Sequence, residues 1–340
     1  MFAIAAALVA ASASAHAESR PEAPNISAES GILVDDETGQ ILWSREPAQP
    51  RPPASLTKIL TALVVLERVP LDDQVVMTAE FNRVEGSSFG AADGWSFPVR
   101  ELLWGMLLQS ANDAALALAQ KASPDGTVAG FVNLMNERAD QLGAQNSQFR
   151  NPHGLDEPGH TSSALDLTIL TMAAMRNPTF AEIVRTKSHD IAWGDGTVKT
   201  FFNLNKMLTQ YDGAIGVKNG YTTDSGRSVV SSVQRDSTTL LAVVLGSENQ
   251  YEDSARLYDW AYKNLRTLRT ESNELIHTVR KPAGGPVVID GLEVVDSSET
   301  RPARRQGPPP LVAPVMALLF AISVGVTIRR RRGQVIEEPA

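Results

Sequence analysis

Short apolar runs near the start of the chain and again in its last third predict β-strands. Residues 31–35 and 40–43 flank Asp36-Glu37-Thr38-Gly39, a polar loop of turn-forming residues, and this pattern is typical of a β-hairpin. Three later runs are joined by short polar turns, which predicts an antiparallel meander. These runs are residues 214–222, 227–234 and 238–246.

Between the two groups of strands, apolar positions recur at helical spacing. The segments that predict helices are residues 55–69, 99–109, 113–122, 128–142 and 164–176, followed by a closing helix at 252–265. If the first hairpin joins the last three strands, the chain forms one five-stranded antiparallel sheet with helices on its faces. The sequence therefore predicts an α+β fold.

The N-terminal segment predicts export. Residues 3–15 are apolar and are followed by Ala15-His16-Ala17, which resembles the small-residue ending of a signal peptide. No basic residues precede the apolar run, so a buried N-terminal helix is the alternative. We expect residues 1–17 to be a signal peptide.

The C-terminal segment predicts a membrane anchor. Residues 311–328 carry no charge over 18 positions and are followed by Arg329–Arg332, which the positive-inside rule assigns to the cytoplasm. A Pro- and Arg-rich linker, residues 296–310, precedes them. The alternative is a buried core helix. We expect a single-pass cell-membrane protein with residues 329–340 in the cytoplasm and the main domain outside.

Composition and charge exclude several functions. The chain has 340 residues, no cysteine and a net charge of -8, so disulfides, thiol nucleophiles and Cys-ligated metal sites are absent. The last 40 residues carry +5, which leaves -13 for residues 1–300. Because nucleic-acid binding needs a basic surface, we expect no nucleic-acid partner.

The first candidate for chemistry is Ser55-Leu56-Thr57-Lys58 at the start of a predicted helix. Residues three apart on a helix point the same way, so the Lys58 amine can reach the Ser55 hydroxyl. A serine hydroxyl attacks only when a base takes its proton, and a lysine that loses its charge through burial or a second cation is such a base. The alternative is a helix-capping serine beside an exposed lysine.

Two further motifs follow in order. Ser110-Ala111-Asn112 lies between two predicted helices, where a hydroxyl and an amide can enter a cleft, or alternatively it only caps the second helix. Lys218-Asn219-Gly220 lies in a predicted strand, where Gly220 permits the close approach of a ligand, or alternatively it belongs to a solvated edge strand. A second S-x-N, at residues 247–249, lies at a strand exit and is interpreted as a chance match.

The ordered motifs resemble the D-alanyl-D-alanine carboxypeptidases, which are low-molecular-mass penicillin-binding proteins. The resemblance runs from about residue 31 to residue 265. Apart from the three motifs, it rests on Pro52-Pro53-Ala54, Glu85-Gly86-Ser87-Ser88, Asn151-Pro152-His153-Gly154-Leu155-Asp156, Gly159-His160 and residues 216–222. The resemblance implies a β-lactamase/transpeptidase-like fold with an all-helical subdomain and a catalytic domain at residues 25–267.

The resemblance also implies the roles of single residues. Ser55 is expected to be the acylated nucleophile, with Lys58 as its base. Ser110 is expected to relay a proton, and Asn112 to hold the substrate amide. On the strand, Lys218, Asn219, Gly220 and Tyr221 are expected to bind substrate, with the Ser55 and Tyr221 N–H groups as the oxyanion hole.

The implied reaction removes the terminal D-alanine of a peptidoglycan stem peptide, needs no cofactor, and is inhibited by β-lactams. Asn219 departs from the family's threonine, which puts catalytic efficiency in question. Residues 268–295 are too short for the C-terminal β-domain of many relatives, so we expect a short β remnant with a hairpin near residues 287–295.

Four alternatives stay open. A DD-endopeptidase and a catalytically weak peptidoglycan-binding protein share the implied scaffold. A class A β-lactamase is disfavoured because Ala111 replaces the aspartate of its S-D-N motif. The histidines of residues 153–160, with Asp156 and Glu157, suggest a metal site, but the family pattern favours a structural loop.

Overall fold

The computed structural model describes residues 20–272, 275 and 276, together with three short strands as far as residue 293. The chain divides into two compact units, residues 1–293 and 294–340, and the second lies outside the described residues. The predicted signal peptide, linker, membrane helix and cytoplasmic tail also lie outside them. No described helix is both long enough and apolar enough to span a bilayer.

Strands come first and last along the described chain, with helices between them, as the sequence predicts. In chain order the elements are β1 (Ser30–Asp35), β2 (Ile41–Arg45), α1 (Thr57–Arg68), β3 (Gln74–Val76), β4 (Ser96–Pro98), α2 (Val99–Leu108), α3 (Asn112–Ala122), α4 (Val128–Leu142), α5 (Ala164–Met175), α6 (Pro178–Arg185), β5 (Ser188–Ala192), β6 (Val198–Phe202), α7 (Met207–Gln210), β7 (Ala214–Thr222), β8 (Gly226–Arg235), β9 (Thr238–Ser247), α8 (Gln250–Glu271), β10 (Val279–Arg280), β11 (Val288–Ile289) and β12 (Leu292–Glu293).

The central sheet has five strands in the order β2-β1-β9-β8-β7, and every neighbouring pair is antiparallel. The first hairpin therefore joins the late meander through β1 and β9, where Ile32 pairs with Val243. This order leaves β7 at the edge of the sheet, with one side free to meet another chain. The prediction of an α+β fold built on one five-stranded antiparallel sheet is confirmed.

Alternate residues of the sheet pack into two separate cores. Ile32 and Val34 on β1 belong to the larger core, with the buried faces of α1 to α5. Leu33, between them, faces the smaller core beneath α8. Because successive side chains of a strand point to opposite faces, this alternation decides which residues of β7 face α1 and which face α8. Lys218 pairs with Val230, which lies in the larger core.

Sequence patterns found the long elements and missed the short ones. The helix predicted at 252–265 is longer in the structure, because Asn249 caps it and amphipathic residues continue to Glu271. The sequence interpretation omitted α6 and the β5–β6 hairpin. Their signals were present, since Asn177 caps α6 ahead of Pro178, and Asp195-Gly196 forms a turn between β5 and β6. Strands β11 and β12 form the hairpin expected near residues 287–295.

Candidate active site

Ser55 lies in a tight 3-10 turn, Ala54–Leu56, that leads directly into α1. Ala54 has a φ of 49°, a left-handed conformation that is strained for a residue with a side chain and is seen mostly at functional sites. Lys58 lies one helical turn after Ser55, and its Nζ is 3.0 Å from Ser55 Oγ. Because Lys58 is completely buried, the alternative of an exposed lysine beside a capping serine does not describe this pair.

The Lys58 amine is also held by two carbonyl oxygens. Its Nζ lies 2.7 Å from Asn112 Oδ1 and 2.5 Å from the backbone oxygen of His153. Carbonyl oxygens can only accept hydrogen bonds, so they take two N–H groups of the amine. A neutral amine then has its lone pair left for the Ser55 hydroxyl, at a distance suited to proton transfer.

Burial lowers the pKa of Lys58 well below its usual value, and the positive charge of Lys218 lowers it further. The carboxylate of Asp113 raises this pKa and opposes the other two effects. Burial also lowers the pKa of Lys218, to about 7. The site therefore contains two buried amines whose surroundings favour loss of a proton, which is the electrostatic condition for a lysine base.

Asn112 is the first residue of α3, and the turn before it contains Ser110. Its amide Nδ2 donates to the Glu85 oxygen at 2.6 Å, which leaves Oδ1 to face Lys58. Ser110 has a φ of 63° and is 5% exposed. Its hydroxyl makes no hydrogen bond within the described residues. Asn112 is thus hydrogen-bonded to Lys58, which in turn contacts Ser55. The buried Ser110 hydroxyl has no direct hydrogen bond to any of the three.

The edge strand β7 contacts the turn that holds Ser55. A Cβ atom added at Gly220 would lie 3.1 Å from both Ala54 Cβ and the Ser55 nitrogen, so glycine permits this close approach. Lys218 is buried on the side of β7 that faces α1, and its amine donates to the Asn219 oxygen at 2.9 Å. The Tyr221 side chain is 65% exposed, with the Arg227 guanidinium 5.9 Å from its ring centre.

The loop of residues 151–156 forms another wall of the site. The Pro152 oxygen accepts from Thr61 of α1 at 2.7 Å, and the next carbonyl, at His153, accepts from Lys58. A Cβ at Gly154 would lie 1.9 Å from the Ala54 oxygen, so this position also requires glycine. Sequence reasoning missed the His153 carbonyl as a ligand of the lysine, because a backbone oxygen leaves no mark in the residue types.

The two histidines of this region are held in neutral form. Burial is the main cause that lowers the pKa of His153 to about 3 and that of His160 to about 4. His160 Nδ1 accepts from the Arg150 nitrogen, and its Nε2 lies 2.8 Å from Thr57 Oγ1. Both ring nitrogens of His160 are therefore engaged in fixing the loop against α1. Among the described residues, no three His, Cys, Asp or Glu side chains form a cluster suited to a metal ion.

The family model for D-alanyl-D-alanine carboxypeptidases matches residues 17–249. The chain belongs to this family. It is 35% identical over 248 residues to the D-alanyl-D-alanine carboxypeptidase DacB2 of Mycobacterium tuberculosis, a match that covers 70% of this chain and 84% of the relative. It is 31% identical to DacF of Bacillus subtilis, over 71% of this chain and 63% of DacF, so the chain spans less than two thirds of that relative.

The fold has close counterparts among solved structures. A crystal structure of a D-alanyl-D-alanine carboxypeptidase from Mycobacterium tuberculosis aligns with a TM-score of 0.69 at 33% identity, and the match covers 72% of this chain and 95% of the other. The family expected from the three motifs, and with it a serine peptidase of the penicillin-binding protein fold, is confirmed.

Proposed function

We propose that this family member removes the terminal D-alanine from peptidoglycan stem peptides through an acyl-enzyme on Ser55. The observation that carries the proposal is the arrangement around Lys58. Two carbonyl oxygens take two of its N–H groups, and the remaining direction points at the Ser55 hydroxyl, 3.0 Å away. A buried neutral amine in this position is a general base for that serine.

In the first half of the reaction, Ser55 Oγ attacks the carbonyl carbon of the penultimate D-alanine, and Lys58 takes its proton. The N–H groups of Ser55 and Tyr221 stabilise the oxyanion, because Gly220 brings β7 against the Ser55 turn. The amide bond then breaks, and the proton passes through Ser110 to the leaving amine. The departing D-alanine keeps its carboxylate, which Lys218 binds.

In the second half, water attacks the ester on Ser55. Lys58 removes a proton from this water, as it did from the serine, and returns it to Ser55 Oγ as the ester bond breaks, which releases the shortened peptide and restores the free serine. A β-lactam acylates the same serine, because its strained amide presents a carbonyl carbon and a carboxylate to the same groups. Because water is the acyl acceptor and the leaving group is a single terminal D-alanine, the reaction is that of a carboxypeptidase.

A fluorescent penicillin and a synthetic pentapeptide test this proposal. We expect the wild type to bind the label covalently and to release D-alanine from the pentapeptide, and Ser55→Ala to do neither. A wild type that takes no label and releases no D-alanine would support a peptidoglycan-binding role instead. Faster cleavage of a cross-linked peptide dimer than of the pentapeptide would favour a DD-endopeptidase, and rapid nitrocefin turnover a β-lactamase.

We also propose that the domain works outside the cytoplasmic membrane, anchored by residues 311–328 after removal of residues 1–17. The support is the sequence alone: an uncharged run of 18 residues followed by four arginines. When the full chain is expressed in a bacterium, we expect it in the membrane fraction, resistant to extraction with alkaline carbonate. Recovery in the soluble fraction would contradict the anchor.

A further inference from the structure

Asp113 follows Asn112 in the first turn of α3, and its carboxylate is completely buried. One oxygen accepts from the Phe89 nitrogen at 2.7 Å, and from the Ala114 nitrogen at 2.9 Å. The other accepts from Ser88 Oγ at 2.7 Å and from the Gly90 nitrogen at 3.0 Å. Asp113 thus uses a buried charge to hold one end of a loop, which we call the 85–90 loop.

The other end of the 85–90 loop holds Asn112. The Glu85 oxygen accepts from Asn112 Nδ2 at 2.6 Å, and the Ser87 oxygen accepts from the Asn112 backbone nitrogen at 2.7 Å. These two carbonyls decide which way the Asn112 amide faces. Because Nδ2 is turned towards Glu85, Oδ1 is turned towards the Lys58 amine.

The 85–90 loop is otherwise attached through Phe89, its one buried residue, whose ring lies 5.0 Å from the centres of three other aromatic rings. Lys199 on β6 donates to the Phe89 oxygen at 2.7 Å, and its amine lies 4.5 Å from the centre of the Trp193 ring. The Phe89 ring packs against Gly105, where a Cβ would lie 2.2 Å from it. Asp113 and Lys199 therefore both hold the loop by hydrogen bonds to the backbone of Phe89.

We propose that Asp113 is a positioning residue for acylation: it clamps residues 88–90, so that the carbonyls of Glu85 and Ser87 hold Asn112 in the orientation that directs the Lys58 amine at Ser55. The inference rests on the proposed function of Ser55 and Lys58. Asp113 acts through the loop and through Asn112, and within the described part of the chain it makes no hydrogen bond to Ser55.

The charge of Asp113 gives this role a second signature. The charged or titratable groups that act on Lys58 are Lys218 of β7, which lowers its pKa, and Asp113 of α3, which raises it. His153 and His160, from the loop packed against α1, are neutral above about pH 4 and add no charge near Lys58. Loss of the Asp113 charge therefore lowers the pKa of Lys58, and the amine stays neutral to a lower pH.

The test compares Asp113→Asn with a matched control in the full chain, by the rate of acylation with a fluorescent penicillin from pH 5 to pH 9. The control is Asp253→Asn, because Asp253 is also buried and accepts from two backbone nitrogens, of Ser27 and Ala28, and from the Ser27 and Ser247 hydroxyls. Its partners lie outside the site.

In Asp113→Asn an NH₂ group faces the Gly90 N–H or the Phe89 N–H, so the loop shifts. A shift of about 1 Å at a catalytic group costs on the order of 100-fold in rate, and we expect acylation at pH 8 to be about 10- to 100-fold slower. We also expect the acid limb of the rate profile to move to lower pH. Asp253→Asn should keep the wild-type rate and limb, whatever its loss of stability.

A wild-type rate and limb in Asp113→Asn would overturn the inference, as would an equal slowing in Asp253→Asn. If Asp113→Asn does not fold, Ser88→Ala and Lys199→Met each remove one attachment of the same loop. Slower acylation in these folded variants supports the inference, and wild-type rates in both overturn it. If the wild type itself takes no label, the proposed function fails. This result differs from failure of the Asp113 inference, because there is then no acylation rate to compare between variants.

Discussion

Two buried lysines form the chemical centre of the site, and each has a different task. Lys58 and Lys218 are at most 1% exposed, and burial is the main cause that lowers the pKa of both. Burying an ammonium opposes folding, so such residues are kept for function rather than for stability. In the proposed mechanism, Lys58 has to be neutral to accept the serine proton, whereas Lys218 has to be charged to bind a carboxylate.

These opposite requirements predict a bell-shaped pH profile for the second-order rate of acylation by penicillin. The rate should rise with pH as Lys58 loses its proton, since only the neutral amine accepts one. It should fall above about pH 7, where Lys218 of the free enzyme loses its charge. In Lys218→Arg, whose guanidinium stays charged, the falling limb should move above pH 10. An unchanged falling limb in that variant would mean that another group causes it.

Asn219 predicts a gain of activity on substitution. Its side-chain oxygen lies 3.5 Å from Lys218 Nζ, a long and weak contact. Asn219→Thr supplies a hydroxyl that donates to the substrate carboxylate, and a hydrogen bond to a charged group is worth about 1.5–3 kcal/mol. We expect kcat/KM for the pentapeptide to rise about tenfold. An equal or lower value would show that the amide already serves this carboxylate.

At the scale of elements, two segments from distant parts of the sequence meet the turn before α1. The loop of residues 151–156 meets it at Gly154, and β7 meets it at Gly220. A side chain at Gly154 would collide with the Ala54 oxygen, and one at Gly220 would be tightly packed against Ala54 and Ser55. The site is therefore assembled by close backbone contact, which holds Ser55 close to β7, the strand proposed to bind substrate.

Gly220→Ala tests this contact. The new methyl group would lie 3.1 Å from Ala54 Cβ and the Ser55 nitrogen, so β7 and the Ser55 turn have to separate slightly. We expect acylation to be about tenfold slower, because the oxyanion donors on the two segments move apart by less than the 1 Å that costs on the order of 100-fold. Overpacking should lower the free energy of unfolding by about 1–3 kcal/mol, measured by urea denaturation. Wild-type acylation by this variant would show that the approach of β7 is not needed.

The sequence predicted elements whose periodicity is long and regular, and residues whose chemistry is local. Ser55 and Lys58 could be paired because a single helical turn relates them. The His153 carbonyl and the Asp113 carboxylate could not be found in this way. Their roles depend on contacts across 95 positions for His153 to Lys58, and 24 for Asp113 to Phe89, which no local pattern encodes.

At the scale of the whole molecule, the sheet separates two hydrophobic cores, and the helices of the candidate site, α1 and α3, belong to the larger one. The larger core supports α1 and α3, the two helices that carry Lys58 and Asn112. The smaller core, beneath α8, contains none of the proposed catalytic residues. Residues 1–300 carry a net charge of -13, so in the proposed mechanism the lysines of the site have to attract the substrate carboxylate against a negatively charged surrounding domain.

The protonation state of Lys58 tests the central claim most directly. The chain has eight lysines, so labelling them with ¹³C at Cε gives few NMR signals, and the one absent from Lys58→Arg belongs to Lys58. We expect this signal in the free enzyme to have the shift of a neutral amine at pH 8. Titration of Lys58 near 10.5, the value of a lysine in water, would contradict its role as the base that activates Ser55.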